Sequence, residues 1–285
     1  NIMYNFIMNI NLPDYLNPFV PSSKYDDFRG IANDLKNKGY AVFDFPHEDF
    51  NSLAESIKAD LPKKMNMEII DNKGPRIQDY FQNDAVREIA CNEKVLNMLS
   101  KLYGRKAFPF QTLNFPFGTQ QKAHSDHVHF DSIPHNFMVG VWVALEDIDP
   151  DSGPLFVYEG SHKWPRVDNF FINHKVTEGA PPSPQYQKYL KIWETFAETS
   201  NTPKKPFLAK KGQCIIWSAH LVHGGSKQKD LTKTRWSQVT HYYFENCAYY
   251  TPMHSNEISN NYFLRQPKNI LSEEIVRSSF LPGKK

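Results

Sequence analysis

From residue 108 onward the chain breaks into short runs dense in Val, Ile, Trp, Tyr and Phe, each closed by turn chemistry. That texture constrains the fold more than any other feature. The runs cover 108–115, 138–145, 155–158, 213–218 and 236–244. Between them stand Asp149-Pro150-Asp151-Ser152-Gly153, Glu159-Gly160-Ser161 and Lys211-Gly212, combinations that favour turns. β-Branched and aromatic side chains suit pleated, half-buried surfaces, so each run is an expected strand. Many short strands divided by Gly and Pro turns point to a sandwich or a barrel of the jelly-roll type, with the topology left open. One helical insertion, about 185–199, interrupts the series and sets Tyr189, Ile192, Trp193 and Phe196 on one face.

The first 105 or so residues read differently. Phe28, Ile31, Ala32 and Leu35 fall at helical spacing, and Gly39 is placed to end that helix. A short strand over 41–45 precedes Pro46. Phe50, Leu53, Ala54, Ile57 and Leu61 mark a second amphipathic helix, and Val95, Leu96, Leu99 and Leu102 a third, closed by Gly104.

Charge and cysteine content exclude several classes. The formal net charge is +2, too small for a nucleic-acid footprint. Lys204, Lys205, Lys210 and Lys211 cluster, which reads as a solvated loop beside a strand. Cys91, Cys214 and Cys247 form no C-x-x-C pair, against a disulfide scaffold and in keeping with a reducing cytoplasm. Residues 1–12 are apolar, yet no Lys or Arg precedes Lys24, so a secretory leader is not expected. Asn11, Pro13 and Asp14 cut the stretch well short of the ~20 apolar residues that span a bilayer. A soluble, cytoplasmic protein is expected, with this segment packed on the domain as an arm.

The chemistry concentrates in His124-Ser125-Asp126-His127-Val128-His129-Phe130-Asp131. On a strand, residues two apart share a face, so His124 and Asp126 can point together into a cavity, with Phe130 and Val128 on the same side if the strand continues. A third ligand from elsewhere would complete a 2-His-1-carboxylate face with open positions. His223, just beyond the apolar run 212–217, is the best candidate, and Gly224 and Gly225 after it allow close backbone approach. Arg235 and Ser237 follow, a guanidinium fork and a hydroxyl two residues apart, suited to gripping a carboxylate.

Taken together, Gln121-x-x-His124-x-Asp126, the run from Val141 to Asp147, Gly153-Pro154-Leu155, Gly160-Ser161-His162-Lys163, His223-Gly224 and Arg235-x-Ser237 resemble the phytanoyl-CoA dioxygenase family, block by block and in order. The resemblance implies a mainly β (α+β) double-stranded β-helix, a cupin-like jelly roll, with N-terminal helices packed against it. The expected organisation is a single domain over 1–285, with helical support over 1–105, a jelly-roll core over 106–250 and an extension over 251–285. It further implies that His124, Asp126 and His223 ligate Fe(II), and that Arg235, helped by Ser237, holds the distal carboxylate of 2-oxoglutarate. Gln111 and Thr119 are further candidates for contact with that cosubstrate. The family couples decarboxylation of 2-oxoglutarate with O2, giving succinate and CO2, to hydroxylation of a small-molecule substrate. Relatives that chlorinate replace the ligand carboxylate with a small residue; Asp126 is retained here.

Other assignments compete within the motif. His127-x-His129 has the spacing of a cupin metal pair, and strand alternation would let it face the cavity only if His124 and Asp126 faced away. The gap from His124 to Trp142 aligns with the family's pattern without insertion, so the resemblance implies His124 and Asp126 over the other registers. His127 and His129 are then surface groups or, with Phe130, contacts to the substrate at the entrance. His162 is expected to pack or cap, His220 to yield to His223, and His241 to be a satisfied core or supporting group. Trp142 and Trp217 are core residues or cosubstrate walls. Tyr249, Tyr250, Met253 and Tyr262 are a lid or ordinary packing. A structural metal in a binding protein and a cupin-type sugar isomerase or epimerase are the alternatives to an oxygenase.

Overall fold

In the computed structural model, which describes residues 12–18, 20–71, 74–174 and 183–279, the β-rich half forms two facing sheets. Strand β1 is Tyr40–Asp44, β2 Ile77–Gln78, β3 Ala107–Phe115, β4 Asp131–Ile133, β5 Met138–Ala144 and β6 Leu155–Tyr158. Strand β7 is Lys204–Pro206, β8 Gln213–Ser218, β9 His223–Gly225, β10 Ser237–Phe244 and β11 Ala248–Tyr250. The larger sheet runs β1-β8-β5-β10-β3-β2 and the smaller β7-β6-β9, with every pairing antiparallel; β11 and β4 form a separate ladder. Sequence neighbours rarely pair in these sheets, because the chain crosses repeatedly between them. This is the jelly roll expected from the strand texture.

Alternation along the central strands explains why both faces of the large sheet are apolar. Successive side chains point to opposite faces. Trp142, Ala144, Ile215, Trp217 and Val239 meet Leu155 and Val157 of the smaller sheet and form the interior. Val141, Val143, Cys214 and Ile216 face the other way and pack with Leu35, Ala54, Ile57, Leu99 and Leu102 of the N-terminal helices. All of β5 is consequently buried.

The helical support follows its sequence signals. Helix Arg29–Lys38 stops at Gly39, whose φ of 84° is left-handed. Helix Phe50–Asp60 is capped by Asp49, which accepts from the Ser52 amide, and helix Glu93–Tyr103 by Asn92, which accepts from the Val95 amide. The insertion helix spans Ser183–Thr199 and buries Tyr189 and Trp193. Tyr249, Tyr250 and Met253 are buried and Tyr262 lies edge-on to Tyr250; they pack and do not line the mouth. The N-terminal arm expectation concerns residues 1–12, of which 1–11 lie outside the described residues. Among the described residues no helix is long and apolar enough to cross a membrane.

Candidate functional site

His124 and His223 face one another as an isolated antiparallel bridge, each amide donating to the other's carbonyl at 2.9 Å. The pairing sets the two imidazoles side by side, with ring centroids 4.4 Å apart. Close approach here needs glycine after the histidine: a Cβ at Gly224 would stand 2.7 Å from the Phe156 ring and 2.8 Å from the Gln121 carbonyl oxygen.

Asp126 joins the pair by a route that alternation did not foresee. The segment is no strand past Ser125; Asp126–Val128 is a 3-10 turn. Side chains three apart eclipse in such a turn, so His129 returns to the cavity beside Asp126 while His127 swings out. This corrects the expectation for His127. Its Nε2 donates to the Val167 carbonyl at 2.9 Å, its Nδ1 lies 2.8 Å from Ser125 Oγ, and its ring stacks on His220. Both its nitrogens are engaged inside the protein, and His127 does not line the cavity. Val128 likewise packs with Phe156 and Val222 in a separate apolar cluster rather than walling the cavity.

The ligand atoms of His124, Asp126 and His223 all lie within 4.8 Å of one another. His124 Nδ1 donates to the Lys122 carbonyl at 2.9 Å and His223 Nδ1 to the Leu221 carbonyl at 3.1 Å. A carbonyl only accepts, so each ring carries its proton on Nδ1 and turns the Nε2 lone pair inward. Nε2 of His124 lies 3.7 Å from Asp126 Oδ1, and that of His223 lies 3.8 Å from Oδ2. These spacings are too long for hydrogen bonds and leave room for an ion between the groups. Burial and then the neighbouring His223 push His124 down to about 3, so it is a neutral base at ordinary pH. Burial works to raise the Asp126 carboxyl, but His223 and His241 outweigh it and hold the group well below the usual carboxylate range. Two imidazoles and one carboxylate suit a divalent iron.

Supporting residues fix Asp126. The Trp217 indole donates to Oδ2 at 2.8 Å, and His241 Nε2 stands 3.5 Å from the same oxygen. His241 is held in turn by Gln111 Oε1, 3.0 Å from its Nδ1. The indole fits because β5 has Gly140 opposite Trp217; a Cβ there would meet the ring at 2.5 Å. The sequence marked Trp217 as core or cosubstrate wall, and nothing in a linear motif pairs it with an aspartate ninety-one positions earlier.

The three groups open on a cavity of about 390 Å³. Along β10 and its approach, Arg235, Ser237, Val239 and His241 share the inward face. Arg235 is 3% exposed. Its Nη1 donates to Ser237 Oγ at 3.3 Å and its Nη2 to the Phe117 carbonyl at 3.2 Å, while Nε has no partner. The guanidinium rests against the rings of Phe115 and Trp142. Burial pushes it down to about 10, and no carboxylate of a described residue lies within ion-pair distance. A buried guanidinium in that state fits an anion from outside the chain. Ser237 thus orients the arginine. Gln111 and Thr119 both line the cavity, as do His129 and Phe130, and Gln111 is also committed to His241.

Arg76 and Tyr186, which the sequence did not single out, complete the wall. His220 is turned away against His127, and His162 Nε2 donates to the Lys36 carbonyl at 3.1 Å. Lys210 pairs with Asp147 and Lys211 with Glu55 at the surface.

Comparison with known proteins bears on this arrangement. The phytanoyl-CoA dioxygenase family profile matches residues 28–229, a span that includes the three converging groups and ends before Arg235. The peroxisomal phytanoyl-CoA dioxygenase of Rattus norvegicus is 23% identical over 182 residues, covering 61% of this chain and 50% of that protein. The Bos taurus protein is 22% identical over 183 residues, again 61% and 50%. The chain therefore spans about half the length of these curated relatives. Among solved structures, the non-heme alpha ketoglutarate dependent carbocyclase SnoK of nogalamycin biosynthesis superposes with a TM-score of 0.61 at 13% identity, covering 81% of this chain and 90% of that one. EctD from S. alaskensis with bound Fe gives 0.57 at 16% identity, covering 87% and 85%. These likenesses establish a shared fold, and with the profile match over most of its length the chain belongs to the phytanoyl-CoA dioxygenase family.

Proposed function

We propose that this protein is an Fe(II)- and 2-oxoglutarate-dependent dioxygenase that hydroxylates a C–H bond of a small molecule. One observation carries the reading: an inward-turned His-Asp-His set opens on the same cavity as a buried guanidinium without a carboxylate partner among the described residues. A structural metal would need no such clamp, and a cupin isomerase using His127 and His129 finds only one of them in the cavity.

His124, Asp126 and His223 would hold the iron, and Arg235, oriented by Ser237, would bind the far carboxylate of 2-oxoglutarate. Bound iron and 2-oxoglutarate supply the activation of O2 and the oxidising power, with succinate and CO2 as coproducts. The chain's own part is positional. The Lys122 and Leu221 carbonyls fix the tautomers of the two histidines. Trp217 and His241 fix the carboxylate. Leu113, Phe115, Leu155 and Val239 keep the inner wall apolar, so the cosubstrate end is sheltered from water. His129, Phe130, Gln121 and Tyr186 face the remaining space and are the surfaces a substrate would meet. Three free cysteines, two of them buried, suit a reducing compartment, and we read the protein as cytoplasmic.

The test is anaerobic. Fe(II) and then 2-oxoglutarate are added to the purified protein while the visible spectrum is followed. A weak metal-to-ligand charge-transfer band, lost in His223→Ala and in Arg235→Gln at limiting 2-oxoglutarate, is the expected result. Bound iron with no band on adding 2-oxoglutarate would overturn the cosubstrate assignment.

A further inference from the structure

We propose that the substrate is a small anion, bearing a carboxylate, phosphate or sulfonate group, which docks on Arg76 at the cavity mouth; this rests on the iron and 2-oxoglutarate reading above. The argument is one of charge. Among the described residues the only acidic side chain on the cavity wall is Asp126, against two guanidinium groups, Arg235 within and Arg76 on the N-terminal segment. The charges of a divalent iron, Asp126, the 2-oxoglutarate dianion and Arg235 cancel. Arg76 is then the uncompensated charge facing the space left for substrate. No carboxylate of a described residue pairs with it, although surface lysines such as Lys58, Lys101, Lys210 and Lys233 do pair with Asp or Glu.

The surroundings fit a polar anion better than an apolar chain. Arg76 shares the mouth with Tyr186 and Gln121. Those two residues belong to the insertion helix and to the segment before His124, so three separate parts of the chain converge on the mouth. Gln78 and His129 add further polar groups there, and burial keeps the His129 ring on the neutral side of its ordinary range. Phe130 supplies the apolar contact, and behind it a second guanidinium, Arg265, lies 4.8 Å from the ring centroid. Arg265 has a buried Nε with no partner and no ion pair to a described carboxylate, so it adds positive potential from behind the wall. Two such groups around one mouth raise the local concentration of anions. A cavity of about 390 Å³ shared with 2-oxoglutarate limits the inserted part to a compact molecule.

The experiment uses matched pairs: short-chain carboxylates and phosphate monoesters, each against its neutral amide or alcohol. Binding is read as a shift of the anaerobic Fe(II)/2-oxoglutarate band, and turnover as succinate release. Anionic members should shift the band and their neutral counterparts should not, the phosphate and carboxylate arms identifying which anion is used. Arg76→Gln should weaken the effective compound by about 10- to 100-fold, the loss expected for a charge-assisted hydrogen bond, while Arg76→Lys recovers part of it. A normal band shifted equally by neutral compounds, or by none of the anions, overturns this proposal alone. So does an unchanged affinity in Arg76→Gln. Absence of the band before any substrate is added overturns the iron and 2-oxoglutarate reading, and this proposal with it.

Discussion

The Trp217 indole and the Arg235 guanidinium make opposite demands on the folded chain. Trp217 is satisfied by Asp126 Oδ2, and Gly140 leaves the room it needs. Partners that orient a ligand commonly cost 10- to 100-fold in metal affinity when removed. Trp217→Phe keeps the ring in its slot and removes the donor, so metal affinity should fall by about that factor with the fold intact. Anaerobic Co(II) or Fe(II) titration, beside a far-UV spectrum, measures it; an unchanged affinity would show the hydrogen bond to be incidental. Arg235 is unsatisfied until an anion arrives. Arg235→Met should therefore raise the stability of the ligand-free protein, by about 1–2 kcal/mol, while removing the gain in stability that saturating 2-oxoglutarate gives the wild type. Urea unfolding with and without 2-oxoglutarate resolves the two effects. A variant less stable than wild type in both conditions would mean that the aromatic packing of Arg235 outweighs its buried charge.

Elements carried their signals unevenly. The large-sheet strands were legible as continuous apolar runs, because the two-residue period of a strand here sends side chains into a core on either face, as Trp142 and Val143 illustrate. Inward-facing Arg235 and His241 follow from the same period. Gly39, Gly104 and the helices they end were legible from local cap chemistry. The segment after His124 was not, since a three-residue 3-10 turn has no compositional mark, and His127 and His129 look equivalent until the turn separates them. What fixes the turn is remote. Asp131, wholly buried, takes Arg166 Nη2 at 3.0 Å and His135 Nδ1 at 3.2 Å, and Arg166 also bridges to Glu257 at 2.8 Å and to the Tyr250 hydroxyl at 2.9 Å. The C-terminal extension is thereby tied to the segment that carries Asp126, His129 and Phe130. Removing one member of a buried ion network leaves the others unpaired, typically at 3–5 kcal/mol. Arg166 is partly exposed, so Arg166→Met should cost about 3 kcal/mol and should weaken iron binding together with stability. Full metal affinity in a destabilised Arg166→Met protein would disconnect the network from the site.

At the scale of the whole molecule, the interior stores an unusual number of neutral imidazoles, and this sets how stability responds to acid. Burial pushes His220 down to about 4 and His127 well below its ordinary range, while both titrate near 6.5 when unfolded. Above about pH 6.5 neither state binds these protons and the histidines contribute nothing to the pH dependence. Below it the unfolded chain takes them up first, so each group lowers stability by up to about 1.4 kcal/mol per pH unit until its folded form titrates too. His135 acts the other way. Burial lowers its pKa but the Asp131 carboxylate more than reverses this, so its contribution is present in acid and lost as pH rises through its raised value. That change falls above about pH 6.5, so it leaves the decline that His127 and His220 cause below that pH untouched. Asp131 joins below about pH 4: burial would raise its pKa, but His135 and Arg166 hold it far below the ordinary range, so its stabilisation is lost as pH falls toward that lowered value. Ligand-free protein should thus gain a little stability from pH 8 to 6.5 as His135 takes up its proton, lose it progressively toward pH 4 and collapse below, as followed by urea unfolding at stepped pH. In His127→Asn combined with His220→Asn the decline between pH 6.5 and 4 should flatten. If the double variant keeps the wild-type slope, the histidines beside the metal set, rather than this stacked pair behind it, govern the acid response.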